Sequence, residues 1–209
     1  AGFSVAHMAA YYHQEAALLA LQDPQIRQMT IAPDTNTKHA GKTVAHLAAQ
    51  QHEQAAVASL SDPAIYQLVI HPEAGGSAGT SVAHAAVYNY EKAARIALQD
   101  PDIYKIQVDP QYRTVDAGMT VAHFIVLSHE KLALELLEGS ALLKLAIPTG
   151  VASGNGGATV LHLAVQEHES VAVKVLDTPV LYKVAVASDA DNDFAGLTAA
   201  HLAALFHEK

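Results

Sequence analysis

The sequence predicts a mainly α-helical repeat solenoid with long inter-repeat loops and short strand-like segments. The first observation is a motif, Gly-x-Thr/Ser followed by Val/Ala, Ala/Leu and His, that occurs six times in 209 residues. Its histidines recur every 38 or 39 residues (46 − 7 = 39; 84 − 46 = 38) and are His7, His46, His84, His123, His162 and His201. A fixed period of this size is typical of stacked repeats. The second observation is a hydrophobic content of 51%, which is ample for a continuous core.

Each motif carries the signals that begin an α-helix. Thr43 suits an N-cap, because its hydroxyl can accept a hydrogen bond from a free N–H two or three residues later. Gly41, two residues before it, suits a turn with a positive φ. The cap position holds Thr or Ser in every copy, namely Ser4, Thr43, Ser81, Thr120, Thr159 and Thr198. A first helix is therefore predicted to run from each cap for about nine residues, as over 43–51.

The residues after this helix predict the rest of each unit. A polar break at His52-Glu53 precedes a second helix over 54–60, and its equivalents share that pattern. The leucine fourteen residues after each of the first five motif histidines is predicted to be buried. Asp62-Pro63 then combines a good cap with a good first helical residue, which indicates a short third turn. Apolar residues spaced as in Ile65, Leu68 and Ile70 indicate that this turn unwinds into a strand-like segment. Variable loops of about eight or nine residues return to the next glycine.

The motif resembles that of the ankyrin repeat, whose helix opens with Gly-x-Thr-Pro-Leu-His-x-Ala-Ala. The resemblance rests on Gly41, Thr43, His46, Ala48 and Ala49 and on their equivalents along nearly the whole chain. This chain differs in having a longer period and in replacing the proline, for example with Val44, Val121 and Ala199. The resemblance implies that the motif histidine ties the Thr side chain to the neighbouring backbone. It also implies a protein-binding role.

The period predicts one elongated array over residues 1–209. Its units are predicted at 1–39, 40–77, 78–116, 117–155 and 156–194, with a terminal helix in 195–209. The net charge of −9 argues against nucleic-acid binding, because few cations are available to neutralise phosphates. No apolar run reaches about 18 residues, so no membrane span is expected. The absence of cysteine excludes disulfides and thiolate chemistry, and it leaves the compartment open.

Thirteen histidines raise the question of a metal site. The second histidine of a unit, such as His52, follows the motif histidine by six residues, which places the two on different helix faces. Equivalent histidines of adjacent units lie too far apart to share an ion, because Zn–N bonds are only about 2.0 Å long. The alternating carboxylates at 189–193 lack the glycine and glutamate of a calcium loop. We therefore predict no enzyme activity, no cofactor, no metal and no small-molecule substrate.

Two sets of residues are candidates for contact with a protein partner. Tyr66, Tyr104 and Tyr182 share one position of the repeat, and Tyr112 and Arg113 lie in a variable loop. If the three equivalent tyrosines are exposed, they form an aromatic stripe suited to protein contact. If they are buried, they fill the gap between the short helix and the loop. The sequence favours neither interpretation.

The first and last helices keep apolar residues where a solenoid normally has polar caps. These candidate contact residues are Val5, Met8, Tyr12, Leu202, Leu205 and Phe206. One explanation is that the chain belongs to a longer array, and another is that open ends stack on other copies. The primary functional hypothesis is a non-enzymatic scaffold for protein–protein interaction. The alternative is a structural subunit that self-assembles end to end into a filament.

Overall fold

The computed structural model describes residues 2–34, 37–151 and 153–207 and is mainly helical, with 53% helix. Fourteen α-helices lie in this described part of the chain. The first helices of the six units are α1 (Val5–Tyr12), α4 (Val44–Gln51), α7 (Val82–Asn89), α10 (Val121–Ser128), α12 (Val160–Glu167) and α14 (Ala199–His207). The second helices are α2 (Gln14–Gln22), α5 (Glu53–Ser59), α8 (Glu91–Gln99), α11 (Glu130–Leu136) and α13 (Glu169–Leu176).

The first helices begin where the cap chemistry predicts. Thr43 is extended (φ −84°, ψ 167°) and its Oγ1 accepts a hydrogen bond from the backbone N of His46 at 3.3 Å. The Nδ1 of His46 in turn accepts from the backbone N of Thr43 at 3.3 Å, so the two residues form a capping box. Gly41 has a φ of +70°, and a Cβ there would overlap the side chain of Ala74. Only glycine fits this turn without strain.

The predicted third turn forms in the three units that carry Asp-Pro. These short helices are α3 (Pro24–Arg27), α6 (Pro63–Tyr66) and α9 (Pro101–Tyr104), each capped by the aspartate before it. The fourth unit replaces the pair with Gly139-Ser140 and forms a 3₁₀ helix over Ala141–Lys144. The fifth unit has only turns here. The third turn therefore follows the Asp-Pro signal, because aspartate satisfies the first N–H groups and proline presets φ.

The strand-like segments are shorter than the sequence suggests. Within the described residues, each segment forms a single antiparallel bridge to the cap position of the next unit. No longer β-strand forms in this part of the chain. The pairs are Thr30 with Thr43, Val69 with Ser81, Gln107 with Thr120, Ala146 with Thr159 and Ala185 with Thr198. Each bridge sets the distance between the end of one unit and the first helix of the next.

Helices of the same kind pack against each other in chain order. The series α1, α4, α7, α10, α12 and α14 makes contacts from each member to the next, and α2 contacts α5, which contacts α8. Small residues permit this close approach, as Ala48, Ala49, Ala55 and Ala56 are all fully buried. One buried apolar cluster extends from Ala10 to Ala203. Among the described residues, no helix has the length and apolar character needed to cross a membrane.

The second helices end at a leucine that the sequence predicts to be buried in every unit. Leu21, Leu60 and Leu137 are buried and Leu98 is half-buried, but Leu176 is 48% exposed. The prediction is wrong for Leu176. In the fifth unit the following segment forms turns instead of a third helix, and within residues 2–34, 37–151 and 153–207 no second helix follows α13 to cover it.

Candidate functional site

Five of the six motif histidines, His7, His46, His84, His123 and His162, are buried, whereas His201 in α14 is exposed. The Nδ1 of His46 lies 2.8 Å from Thr43 Oγ1, and its Nε2 lies 3.3 Å from the carbonyl oxygen of Thr80. Since a carbonyl can only accept, Nε2 carries the proton and Nδ1 is the acceptor. The Nε2 atoms of His7 and His162 donate similarly to Met29 and Val184 at 3.0 and 3.1 Å.

Burial keeps these rings neutral. Desolvation lowers the pKa of His46 and His84 to about 3 and the pKa of His123 to about 4. Neighbouring carbonyls, including Thr80 beside His46 and Met119 beside His84, raise the pKa values but do not offset the burial. A neutral ring is what the capping box requires, because a protonated Nδ1 could no longer accept from the cap N–H.

The second histidine of four units, His52, His129, His168 or His207, bonds to the unit before it, which the sequence did not reveal. Nε2 of His52 lies 3.0 Å from the carbonyl oxygen of Ala10, and His168 and His129 make the same contact with Val126 and Val87 at 2.7 and 2.6 Å. His207 does so with Val165 at 2.7 Å. These carbonyls belong to the last turn of a first helix, where the backbone has no helical partner. We call this set of bonds the histidine staples.

The histidines therefore hold the helices together and do not converge on one point. In the portion of the chain that the structure describes, no three His, Asp or Glu side chains lie together in a way that could hold a metal ion. Tyr90 takes the place of the histidine in the third unit, and its hydroxyl contacts the Gln50 carbonyl at 3.4 Å. The tyrosine therefore keeps a hydrogen-bond donor at this position of the repeat.

The structure places the predicted tyrosine stripe mostly inside the protein. Tyr66 is only 5% exposed, and Tyr104 and Tyr182 are half-buried against the core. These tyrosines fill the gap beside the short third turn. In the loop, Tyr112 packs over Gly79 and is half-buried, while Arg113 is exposed. Burial removes Tyr66 from any surface that a partner could reach.

A groove on the face of the first helices forms a concave site that is lined by three of them. It has a volume of about 250 Å³ and runs across α4, α7 and α10 and the loops beside them. We call it the central groove and define it by Lys42, Gln50, Tyr88, Asn89, Asp116 and Phe124. Tyr88 is 55% exposed and meets Phe124 edge to face, with ring centroids 6.4 Å apart. Phe124 also packs on His84 at 4.7 Å, so the rigid frame supports the floor of the groove.

The central groove contains one cation and one anion that are not paired with each other. Lys42 Nζ donates to Gln50 Oε1 at 2.9 Å. Burial, together with the nearby Lys38, lowers the pKa of Lys42, and burial raises the pKa of Asp116. The ion pairs of the described residues join Arg27 to Asp62 and Arg95 to Glu91 and Glu135, and none includes Lys42 or Asp116. Both charged groups are thus half-desolvated within one concave site.

A second pocket uses the same positions of the repeat. It has a volume of about 280 Å³ and is lined by Phe3, Met8, Tyr11, Tyr12 and His39. Phe3 and Lys42 each precede their motif histidine by four residues, and Tyr11, Gln50 and Tyr88 each follow it by four. One face of the first helices therefore lines both sites. The sequence carries a signal for this face. The residue four positions after the motif histidine varies between units, whereas the residue two positions after it is almost always alanine.

The apolar residues predicted for end-to-end contact fall into two groups. Val5, Met8, Tyr12, Leu205 and Phe206 are exposed. Leu202 is only 2% exposed, because it points into the core cluster between α14 and its neighbours, and it is not available for contact with another copy. The exposed members lie on the outermost described helices, α1 and α14.

Neither the models of known protein families nor the curated proteins give a match. No function is therefore transferred from a relative. The chemistry of the central groove, with its exposed aromatic side chain and its two separated charges, is the observation that bears on function.

Proposed function

We propose that this chain is a single solenoid of ankyrin-like repeats over residues 1–209 that acts as a non-enzymatic scaffold for protein–protein interaction. The observation that carries the proposal is the central groove, where exposed Tyr88 on α7 and half-buried Lys42 and Asp116 in the loops before α4 and α10 line one site. Support for the repeat architecture comes from the recurring cap, the single bridges and the histidine staples, which repeat at the same positions of successive units.

The groove residues suit a protein partner more than a small substrate. An aromatic side chain on a rigid surface contributes large contact area with little loss of conformational freedom, and such residues dominate the energetics of protein interfaces. Tyr88 supplies this area, the buried Phe124 supports its ring from below, and Gln50 and Asn89 add adaptable hydrogen-bonding groups. The surrounding histidines are already engaged in helix caps and staples, so they act as supports in this proposal.

Substitution of Tyr88 by glutamate should abolish partner capture. A carboxylate in place of the ring removes the apolar contact area and adds a charge that is costly to desolvate. The measurement is quantitative mass spectrometry of proteins that the wild-type and variant chains retain from an extract of the source cells. We expect the specific partner to fall by about tenfold or more in the Y88E sample.

Val173 offers a matched control for this experiment. It is 56% exposed, almost the same as Tyr88, but it lies on the second helix α13, away from the groove. Val173→Glu should leave capture unchanged. Equal loss in both variants, or no loss in either, would show that the groove is not the binding surface. Melting curves of both variants check that each remains folded.

The alternative function, self-assembly into a filament, has a different observation in its favour. The outer faces of α1 and α14 expose apolar side chains, and Val5 is 86% exposed. His13 occupies the staple position of the first unit, but no hydrogen bond joins it to a carbonyl among the described residues. A face with an apolar surface and an unused donor could stack on another copy.

Light scattering across a concentration series tests this alternative. If the chain polymerises through these faces, its mass should rise with concentration and regular fibres should be visible in electron micrographs. Tyr12→Glu or Leu205→Glu should then return the mass to about 22 kDa, because each adds a charge to an apolar contact. A constant mass near that of the monomer would exclude the filament and leave the scaffold.

A further inference from the structure

We infer that the central groove recognises a protein segment that carries an acidic group, a basic group and an apolar side chain. The acidic group would face Lys42, the basic group would face Asp116, and the apolar side chain would lie on the exposed ring of Tyr88. This inference rests on the proposed function and specifies the chemistry of the partner.

Lys42 is a cation of the central groove that has no ion-pair partner among the described residues. Its ammonium is half-buried, and its hydrogen bond in the structure goes to a neutral amide oxygen, Gln50 Oε1. No carboxylate oxygen of a described residue lies within 4.0 Å of it. A cation removed from water is strongly disfavoured unless an anion compensates it. A carboxylate from a partner would supply that anion through a short charge-assisted hydrogen bond.

Asp116 is an anion of the same groove. It is half-buried in the loop before α10, and the hydrogen bond from Met119 N to its backbone carbonyl holds it in a turn. No lysine, arginine or histidine nitrogen of a described residue lies within 4.0 Å of its carboxylate. The Asp116 carboxylate, like the Lys42 ammonium, is therefore half-buried and has no ion-pair partner among the described residues. A lysine or arginine side chain of a partner would compensate it.

The Lys42 ammonium and the Asp116 carboxylate line one groove but do not neutralise each other. Lys42 belongs to the second unit and Asp116 to the end of the third, and both line one groove without forming an ion pair. The wall shared with them contains Tyr88 and Phe124, whose rings meet edge to face. A ligand that satisfies both charges therefore carries opposite charges, and an apolar group of the same ligand would pack on the exposed Tyr88 ring. The arrangement rejects a ligand with one sign of charge, because one of its ends would meet a like charge.

The test is a selection from a display library of short random peptides on the immobilised full chain. The enriched peptides should combine an acidic and a basic residue with an aromatic or long aliphatic one. For a selected peptide, Lys42→Gln and Asp116→Asn should each weaken binding by about tenfold or more. Lys42→Glu should change the selection, so that a second basic residue replaces the acidic one.

Two matched controls remove the same charges outside the groove. Lys38→Gln deletes an exposed lysine close to Lys42, and Asp193→Asn deletes an exposed aspartate in a distant loop. Both should leave peptide binding unchanged within a factor of about two. Circular dichroism and melting curves of all five variants confirm that each one is folded.

The outcomes separate this inference from the proposed function. If peptides are enriched whose binding does not depend on Lys42 or Asp116, or if none is enriched, the inference is wrong. The scaffold proposal still stands in that case if Y88E loses the cellular partner and V173E keeps it. If neither the charge variants nor Y88E affects binding, the groove has no role and both proposals fail.

Discussion

The free energy of unfolding should fall by about 4 kcal/mol per pH unit below pH 6.5 from three histidines alone. Each of His46, His84 and His123 has a pKa of about 3 or 4 in the folded state, whereas an unfolded histidine binds a proton near pH 6.5. The unfolded state therefore binds more protons as the pH falls, at about 1.4 kcal/mol per histidine and pH unit. This stability is fully present above pH 6.5 and is lost as the pH falls to about 4 for His123 and to about 3 for His46 and His84.

Other groups near these histidines modify the slope without reversing it. The charge of Lys42 lowers the pKa of His46 further, and a proton on His46 or His123 disfavours one on His84. Asp116 acts in the opposite direction, because burial raises its carboxyl pKa and a folded state with that pKa gains stability as the pH falls. The effect of this one carboxyl group is smaller than the combined effect of the three histidines, so the free energy of unfolding still falls as the pH falls.

Urea denaturation at a series of pH values between 7 and 5 measures this slope. His84→Asn should reduce the slope by about 1.4 kcal/mol per pH unit, because one titrating group is removed. His13→Asn is the control, since His13 is exposed in the first unit and should leave the slope unchanged. If His84→Asn and His13→Asn give the wild-type slope, burial of the motif histidine is not the source of acid sensitivity.

Removal of one histidine staple should destabilise the protein by about 1–3 kcal/mol. In His168→Ala the carbonyl of Val126, which accepts from Nε2 at 2.7 Å, loses its donor in a partly buried site. An unsatisfied acceptor in such a site costs its desolvation free energy. The midpoint of chemical denaturation measures the effect, and His129→Ala should give a similar shift because its bond to Val87 has the same geometry.

His13→Ala supplies the matched control for the staple. It occupies the same position of the repeat, yet no carbonyl of a described residue accepts from it. Its replacement should change the free energy of unfolding by less than about 0.5 kcal/mol. If His168→Ala and His13→Ala shift the midpoint equally, the inter-unit hydrogen bond contributes nothing to stability.

The sequence predicts the parts of the structure that depend on neighbours along the chain. Thr43 caps α4 and Gly41 takes a positive φ because both properties are set within a few residues. The same holds for the third turn at Asp62-Pro63. The mainly helical class follows from these local signals, repeated at a fixed period, and the structure confirms it.

The parts that could not be predicted depend on residues brought together from different units. The staple from His52 to Ala10 joins residues far apart in sequence, and no local pattern specifies its acceptor. Tyr66 is buried by packing that its own position does not reveal. Lys42 and Asp116 share a groove because three first helices lie side by side, so their common role appears only when the units are packed.

The acceptor of each staple is a main-chain oxygen, which every amino acid possesses. The residue that provides it is alanine in one unit and valine in others, and the donor histidine makes the bond regardless. A junction of this kind places no demand on the identity of the partner side chain. Units could therefore be duplicated, deleted or exchanged by recombination without compensating substitutions at the new junction. The junction can stay constant while the first-helix face diversifies, which separates the evolution of specificity from the evolution of stability.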